Sequence, residues 1–431
     1  MWMMLVGLAS ALTLEQAWEL AEGDGEESVL LAEQRRQAEL MRAQAFASLA
    51  PRVQLNGNWT RNQREIALDF ASALPEDMIL LIEGFTGEPF NTGEPTVIQA
   101  LSYFDTNLTV IQPIFNARTV PGLRGAYAMV DAGVALERAG RADLRLVVAR
   151  AWWGLRVARE AEKLATEAKK LAEQYQKQAA ALVAAGQATR QAEIQAKMVV
   201  ARAERERMSA GARREQAEWG LSALIGVQAP EELSGTTAAT LPWATVDEAL
   251  ERSVARRPEL AVALAQERVA RAVRQASVLG WTPTLDARFT EVWSQNTGFS
   301  GENFNWMFVL SASWTLWDGG FRLVDNSRTA SQLHQASAVT RQAQEQAEME
   351  VRLAWKERER AGAAREAASI ELELAEENLR MAEVSYREGA SVYTDLENAR
   401  LARDSARLVG LNETMNVELA TLTLLAAVGD L

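Results

Sequence analysis

Cysteine is absent from the 431 residues, and histidine occurs once, at His334. The first absence excludes a disulfide framework, thiol catalysis, Cys-ligated zinc and a lipidated N-terminal Cys. The second, with no HExxH or CxxC spacing, argues against a metal site and leaves any Ser/His/Asp set a single histidine to use. GxxxxGK and GxSxG are missing as well, so neither a phosphate-cradling loop nor a nucleophile elbow is present. Together these gaps argue against an enzyme and give no reason to expect a cofactor. No run of 18 apolar residues occurs, so no transmembrane helix is available. Formal net charge is −13 without a Lys/Arg block, which argues against nucleic acid as a partner.

What is present begins at the N-terminus. MWMMLVGLASA, residues 1–11, has an apolar core and ends in Ala9-Ser10-Ala11, the small-x-small pattern of a signal-peptidase site. It lacks a basic n-region and is shorter than the usual length of about 15 residues. It reads as a short or truncated signal peptide, with the true start expected upstream, and it points to export. The alternative is an ordinary apolar N-terminus.

The remainder is written twice. LTLEQAWELA (12–21) resembles ATVDEALERS (244–253), and Pro51 pairs with Pro283 at the same offset of 232. QPIFNAR (112–118) pairs with WTLWDGG (314–320) at an offset of 202. LVAAGQAT (182–189) pairs with SYREGASV (385–392), and LSALIGV (221–227) with LLAAVGD (424–430), both at 203. The fall from 232 to 202 locates about 30 extra residues between Pro51 and Phe115, where LPEDMILLIEGFTGEPFNTGEP (74–95) reads as a long loop. Its MILLI run (78–82) suggests packing on something. The matching link, SQNTGFSGEN (294–303), is short.

Each half follows one plan. The first repeat, 12–227, has expected helices at 13–22 and 26–49, strands at 51–66 and 104–115, and a helical hairpin at 117–225. The second, 244–431, has helices at 245–256 and 258–279, strands at 283–294 and 303–317, and a hairpin at 321–428. Pro258 suits a first helical position. At 1.5 Å per residue each long helix would span roughly 100 Å. Leu164, Ala168, Leu171, Tyr175, Gln178 and Leu182 step 4,3,4,3,4, as do Leu408, Leu411, Met415, Glu418, Leu422 and Leu425, the spacing of a coiled coil.

The stretch NFNWMFVLSASWTLWDGG (303–320) differs from its helical surroundings. Phe304, Trp306, Phe308, Leu310, Ala312, Trp314 and Leu316 alternate with Asn305, Met307, Val309, Ser311, Ser313 and Thr315. A strand of 9–11 residues tilted by about 45° crosses a bilayer. Its apolar face would meet lipid, its Asn/Ser/Thr face a wet interior and its end aromatics the two interfaces. Four strands cannot close a barrel, so several chains must contribute, and three would give twelve strands. A soluble four-stranded sheet with one face packed on helices explains the alternation equally well, but leaves the paired long helices without a purpose.

With these elements in place the chain resembles the TolC family of outer-membrane efflux and secretion channels. The carriers are the duplicated helix–helix–strand–strand–hairpin order, QPIFN and LWDGG at the strand-to-helix junctions, and the two tips. SYREGASVYTDLENARLARDSARLVGLNETMNVELATLTLLAAVG is the most specific stretch, similar to the family's Y-x-x-G-x-x-x-x-x-D-L pattern with a terminal L-x-x-x-G. The resemblance implies a mainly α protein with a membrane β part. Duplicated coiled-coil hairpins would form a periplasmic tunnel, and four strands per protomer would join a homotrimeric twelve-stranded outer-membrane barrel. It implies a passive conduit whose tips dock a periplasmic adaptor (membrane fusion) protein of an inner-membrane RND or ABC pump, with outer-membrane lipid around the barrel. The competing expectation is a periplasmic coiled-coil scaffold or adaptor without membrane insertion. Against it, an adaptor usually has one hairpin flanked by small β domains.

The resemblance also assigns sites. Tyr386 and Asp395 flank the second tip glycine where the family places its periplasmic gate, and three copies of Asp395 would make a cation-attracting ring. The chain departs from the family pattern at Asn398, where a second acid stands, at Ser391, where an Arg stands, and at Ala192, where an acid stands. Glu193, Arg190 and Arg387 stand nearby as substitutes, and a constriction that opens more easily is expected. The docking tips are Gly186, Gln187, Ala188 and Thr189, and Gly389, Ala390, Ser391 and Val392. The lipid-facing set is Phe304, Trp306, Phe308, Leu310, Trp314 and Leu316.

Overall fold

The computed structural model describes residues 11–68, 74–86, 96–235, 240–297 and 302–431. The expected signal segment lies outside these residues except for Ala11, as do residues 87–95 of the 74–95 stretch. The chain divides into two compact units, one of residues Met1–Glu39, Ala128–Glu267 and Gln335–Leu431, the other of Leu40–Tyr127 and Arg268–His334.

The helical elements come in matched pairs. Helices α1 (Leu14–Asp24) and α2 (Glu26–Ala47) correspond in length to α6 (Val246–Arg256) and α7 (Pro258–Leu279). Long helices α4 (Thr119–Ala184) and α8 (Phe321–Arg387) return as α5 (Arg190–Ile225) and α9 (Tyr393–Val428). The stop and start signals repeat with them. Thr13 Oγ1 accepts the Gln16 N–H at 3.2 Å while Gln16 Oε1 accepts the Thr13 N–H at 3.0 Å, a full capping box. Thr245 caps α6 the same way, accepting the Glu248 N–H at 3.3 Å. At the other end Gly226 and Gly429 take φ of 72° and 86°, the left-handed turn that closes a helix and that a Cβ penalises.

In the helical unit the core gathers around Trp152 and Trp153, packed edge to face with centroids 5.2 Å apart. Leu12, Leu14, Leu155, Leu221, Ile225, Leu422 and Leu424 are buried with them. Arg156 lies 5.0 Å above the Trp153 ring, so a cation shields the edge of this cluster. The Trp152 indole N–H donates to the Leu12 carbonyl at 3.2 Å, satisfying the one polar atom that ring buries. Asp430 beyond α9 meets Arg252 at 3.2 Å, and Arg256 as well, fastening the chain's end to α6.

The long helices pack through a seam the leucine spacing did not describe. Leu164, Leu422 and Leu425 are buried, but Gln178 and Leu182 are exposed. In α8 the buried positions include Ala347, Ala354, Ala361 and Ala368, each seven residues from the last. Ala172 and Ala179 in α4 and Ala399 and Ala406 in α9 keep the same step. A seven-residue repeat holds one face toward a neighbour, and alanine lets backbones approach closely.

The second unit carries an antiparallel sheet in the order β1-β4-β5-β6, from β1 (Arg52–Arg61), β4 (Ser102–Phe115), β5 (Thr284–Ser294) and β6 (Phe304–Ser313). β4 bulges between Pro113 and Phe115, where the proline has no N–H to give the ladder. The stretch read as a loop contains helix α3 (Glu76–Thr86) and lies between the paired strands β2 (Ile66–Leu68) and β3 (Thr96–Gln99). The Pro75 carbonyl accepts the Met78 N–H at 2.9 Å, and Glu76 and Asp77 sit in the first turn, favourable against the helix dipole. That start signal was masked by the Gly and Pro around it.

β6 also stops earlier than its alternation suggests, at Ser313, so Trp314 and Leu316 are not strand residues. The partner strand begins opposite at Thr284, after Pro283, which again lacks a donor. Trp314 instead donates its indole N–H to the Trp281 carbonyl at 2.9 Å. Gly319 and Gly320, at φ 70° and 90°, then turn the chain into α8.

Candidate functional site

The sheet separates its two faces residue by residue. Register pairs Val53 with Val110, Leu55 with Leu108 and Trp59 with Phe104, and carries the same face on through Val110 to Phe289 and Phe308. Gly57 on this face lies under the Phe104 ring, where a Cβ would come within 3.1 Å of Cζ. Glu291, between Leu108 and Trp306, is its one carboxylate on β5. On the opposite face Asn56 donates to Asn107 at 2.9 Å and Asn58 to Asp105 at 3.0 Å, a cross-strand polar ladder. A soluble sheet would cover its apolar face with helices. Here Leu55 is 71 % exposed, Trp306 61 % and Phe308 60 %. The strands β1 and β6 are the edges, with backbone groups unpaired on their outer sides.

The tips lie in the helical unit and are built alike. Gly186 and Gly389 take φ of 75° and 73°. The Gln187 N–H reaches back to the Leu182 carbonyl at 2.9 Å, as the Ala390 N–H does to Ser385 at 2.8 Å, and each glycine N–H bonds the carbonyl three residues earlier. This double closure is the Schellman turn, which satisfies the last carbonyls of the long helices. Gln187, Thr189, Gly389, Ala390 and Val392 are exposed, Ala188 and Ser391 half-buried. The Ser391 hydroxyl has no hydrogen-bond partner among the described residues.

Of the residues expected at the gate, Asp395 and Asn398 are exposed and Tyr386 is half-buried. Asp395 has local work: its Oδ2 accepts the Val392 N–H at 3.4 Å at the start of α9. Its counterpart Ala192 offers α5 no such acceptor. Of the substitutes named for the missing family residues, Arg387 is exposed, while Glu193 and Arg190 are engaged on their own helix. Glu193 accepts Lys197 at 2.7 Å and also pairs with Arg190, and the Lys197 contact first, then the Arg190 charge, hold its carboxyl below the usual range.

Tyr386 belongs to a cluster that the sequence did not single out. Its ring meets Tyr393 edge-on at 6.0 Å, and Tyr393 stacks flat on Tyr175 at 3.4 Å with 2° between the planes. Three of the five tyrosines in the chain thus join α4, α8 and α9, tying one hairpin to the other. Burial, then the Glu397 charge, push the Tyr393 phenol up to about 12. A raised folded-state value means the contact's contribution is full below the ordinary tyrosine range and fades as pH rises toward about 12. Burial likewise raises the carboxyls of Glu397 and Asp404. Their charge therefore costs stability at neutral pH, and acidification relieves that cost. Next to Tyr386, Leu379, Leu396 and Ala399 form a small buried cluster.

Among the described residues no group of His, Asp and Glu is placed to hold a metal, and no helix is long and apolar enough to cross a membrane.

Residues 249–430 match the family model described as outer membrane efflux protein. No curated protein matches the sequence. Among solved structures the chain is similar to the CmeC outer membrane channel of Campylobacter jejuni, at 15 % identity over 97 % of this chain and 85 % of that one, with a TM-score of 0.76. It is similar to the outer membrane protein VceC of Vibrio cholerae at 17 % identity, over 96 % of both chains, with a TM-score of 0.72. The open state of the MtrE outer membrane channel of Neisseria gonorrhoeae aligns at 21 % identity over 96 % and 88 %, with a TM-score of 0.73. At such identities the structural likeness establishes the fold.

Proposed function

As a chain with the TolC-family fold and an outer membrane efflux protein match over residues 249–430, this protein is, we propose, one third of a passive outer-membrane conduit. Three copies contribute four strands each to one twelve-stranded barrel, and their hairpins form a periplasmic tunnel. The tips dock a periplasmic adaptor that couples the tunnel to an inner-membrane pump of the RND or ABC class. No chemistry is performed on the cargo.

The observation that carries the reading is the uncovered apolar face of the sheet together with its two open edges. In lipid every backbone group needs a partner, and only closure into a barrel supplies one for both edges. Lipid also gives the exposed Leu, Phe and Trp side chains a favourable surrounding that water does not. The scaffold reading leaves both features unexplained.

Single-channel conductance of the purified protein in a planar bilayer tests this. Steady openings of one size with a preference for cations are expected. Protein that extracts as soluble and never inserts would remove the barrel and leave the scaffold.

We assign the cation preference to a ring of Asp395 carboxylates near the tips. Asp395→Asn retains an oxygen acceptor for the Val392 N–H but removes the charge. It is expected to lower the cation-to-anion permeability ratio several-fold without altering helix content. An unchanged ratio would reduce Asp395 to a helix cap.

A further inference from the structure

Between α4, α5 and α9 of one chain lies a cavity of about 370 Å³. That volume is in the range of small-molecule sites. Ala168 and Leu171 from α4, Val199 from α5 and the Tyr393 ring supply apolar wall. Of the charged groups at its border, Glu167 and Arg202 are exposed to solvent and the others, Glu397 apart, are paired. Arg400 pairs with Glu383 at 3.4 Å, Arg403 with Asp404 at 2.7 Å, and Glu206 with Arg213 at 2.7 Å.

Glu397 is different. It lines the cavity, is half-buried, and has no hydrogen bond or ion pair with any described residue. Arg202 affects it only through the longer-range field, and burial is the larger influence, raising its carboxyl. A partly desolvated carboxylate without a partner is costly, and the cost is removed by a cation delivered from outside. Neighbouring Tyr393, one face of which is covered by Tyr175, lines the cavity with aromatic surface that favours the same sign of charge. The carboxylates that line the cavity, Glu167, Glu206, Glu397 and Asp404, form no group placed to hold a metal ion among the described residues, so an organic cation with an apolar body is the matching ligand.

We propose that this cavity is a binding site for hydrophobic organic cations, with the ammonium on Glu397, the apolar body against Leu171 and Val199, and a ring beside Tyr393. Because α4 and α9 belong to different hairpins, an occupant bridges the two hairpins of one protomer next to the tyrosine cluster. Occupancy of the site favours whichever tip arrangement keeps the cavity intact.

The test is equilibrium binding of fluorescent 1-naphthylmethyl-trimethylammonium to the detergent-solubilised full chain. One saturable site per chain is expected. The neutral analogue 1-naphthalenemethanol should bind at least tenfold more weakly, and Glu397→Gln should weaken the cation at least tenfold. Acidification should weaken it as well, as Glu397 takes up its proton, whereas a quaternary probe keeps its own charge. Ala168→Leu, which fills the cavity without touching a charge, provides a second variant, and circular dichroism confirms that both variants fold. Equal binding of cation and alcohol, uptake without saturation, or unchanged affinity in folded Glu397→Gln would overturn the proposal. The measurement needs no conduction, so it stands or falls independently of the bilayer recording.

Discussion

Phe308→Arg is expected to abolish assembly in the outer membrane, while Met307→Arg at the adjacent position is tolerated. Phe308 is in the middle of β6, opposite Phe289 on the apolar face. Met307 projects to the other face with Thr290. An arginine at the bilayer midplane costs about 2–4 kcal/mol on the lipid face of a barrel, and each protomer of an assembly carries that cost again. A lumen-facing arginine stays hydrated. The readouts are recovery in the outer-membrane fraction and heat-modifiable migration on gels. Both faces of the isolated sheet are open to solvent, so a water-soluble sheet would tolerate the two substitutions equally. Equal behaviour would therefore remove the membrane assignment.

Gly429→Ala is the second large expected effect, and it acts in the helical unit. Gly429 closes α9 with φ of 86°, which for an alanine costs about 1–2 kcal/mol. Its added Cβ would also stand 2.6 Å from the Arg256 carbonyl oxygen, a backbone atom that cannot rotate away. The shift this forces would part Asp430 from Arg252 and Arg256, which hold its carboxylate. A fall of more than 2 kcal/mol in the urea-unfolding free energy, or failure to accumulate, is expected. Gly410→Ala, in open space inside the same helix, serves as the control and should be neutral or stabilising by up to about 1 kcal/mol. Similar losses in both would show that α9 resists any added side chain and that the clamp is not special.

The duplicated architecture was legible because its punctuation is local. A threonine cap, a proline start or a glycine in a left-handed turn each acts on its own few residues, so each recurs visibly at the repeat offset. Strand faces were legible for the same reason, since alternation is a property of neighbours. Helix α3 was lost to its surroundings: its acidic first turn and apolar run are sound helix signals, but Gly and Pro on both sides outweighed them. The tyrosine cluster was not legible, because Tyr175 meets Tyr393 only through the packing of one hairpin on another. Tyr386 and Asp395 were assigned by resemblance to a family pattern, and Glu397, which that pattern does not mark, became visible only when the cavity beside it did. The leucine spacing misplaced part of the seam because a buried alanine contributes little to an apolar pattern while contributing much to helix approach.

That seam has a mechanical meaning. Interlocking leucines act like deep teeth that must disengage before two helices can slip, whereas alanines meet as nearly smooth rails. In the helical unit the deep teeth are concentrated around Trp152 and Trp153, with Leu221, Ile225, Leu422 and Leu424. Beyond them, the buried contacts of α8 are almost wholly alanine until Leu379. The hairpins are thus gripped at the tryptophan core and again at the tyrosine cluster, and between the two grips they meet along alanine rails with little to hold them in register.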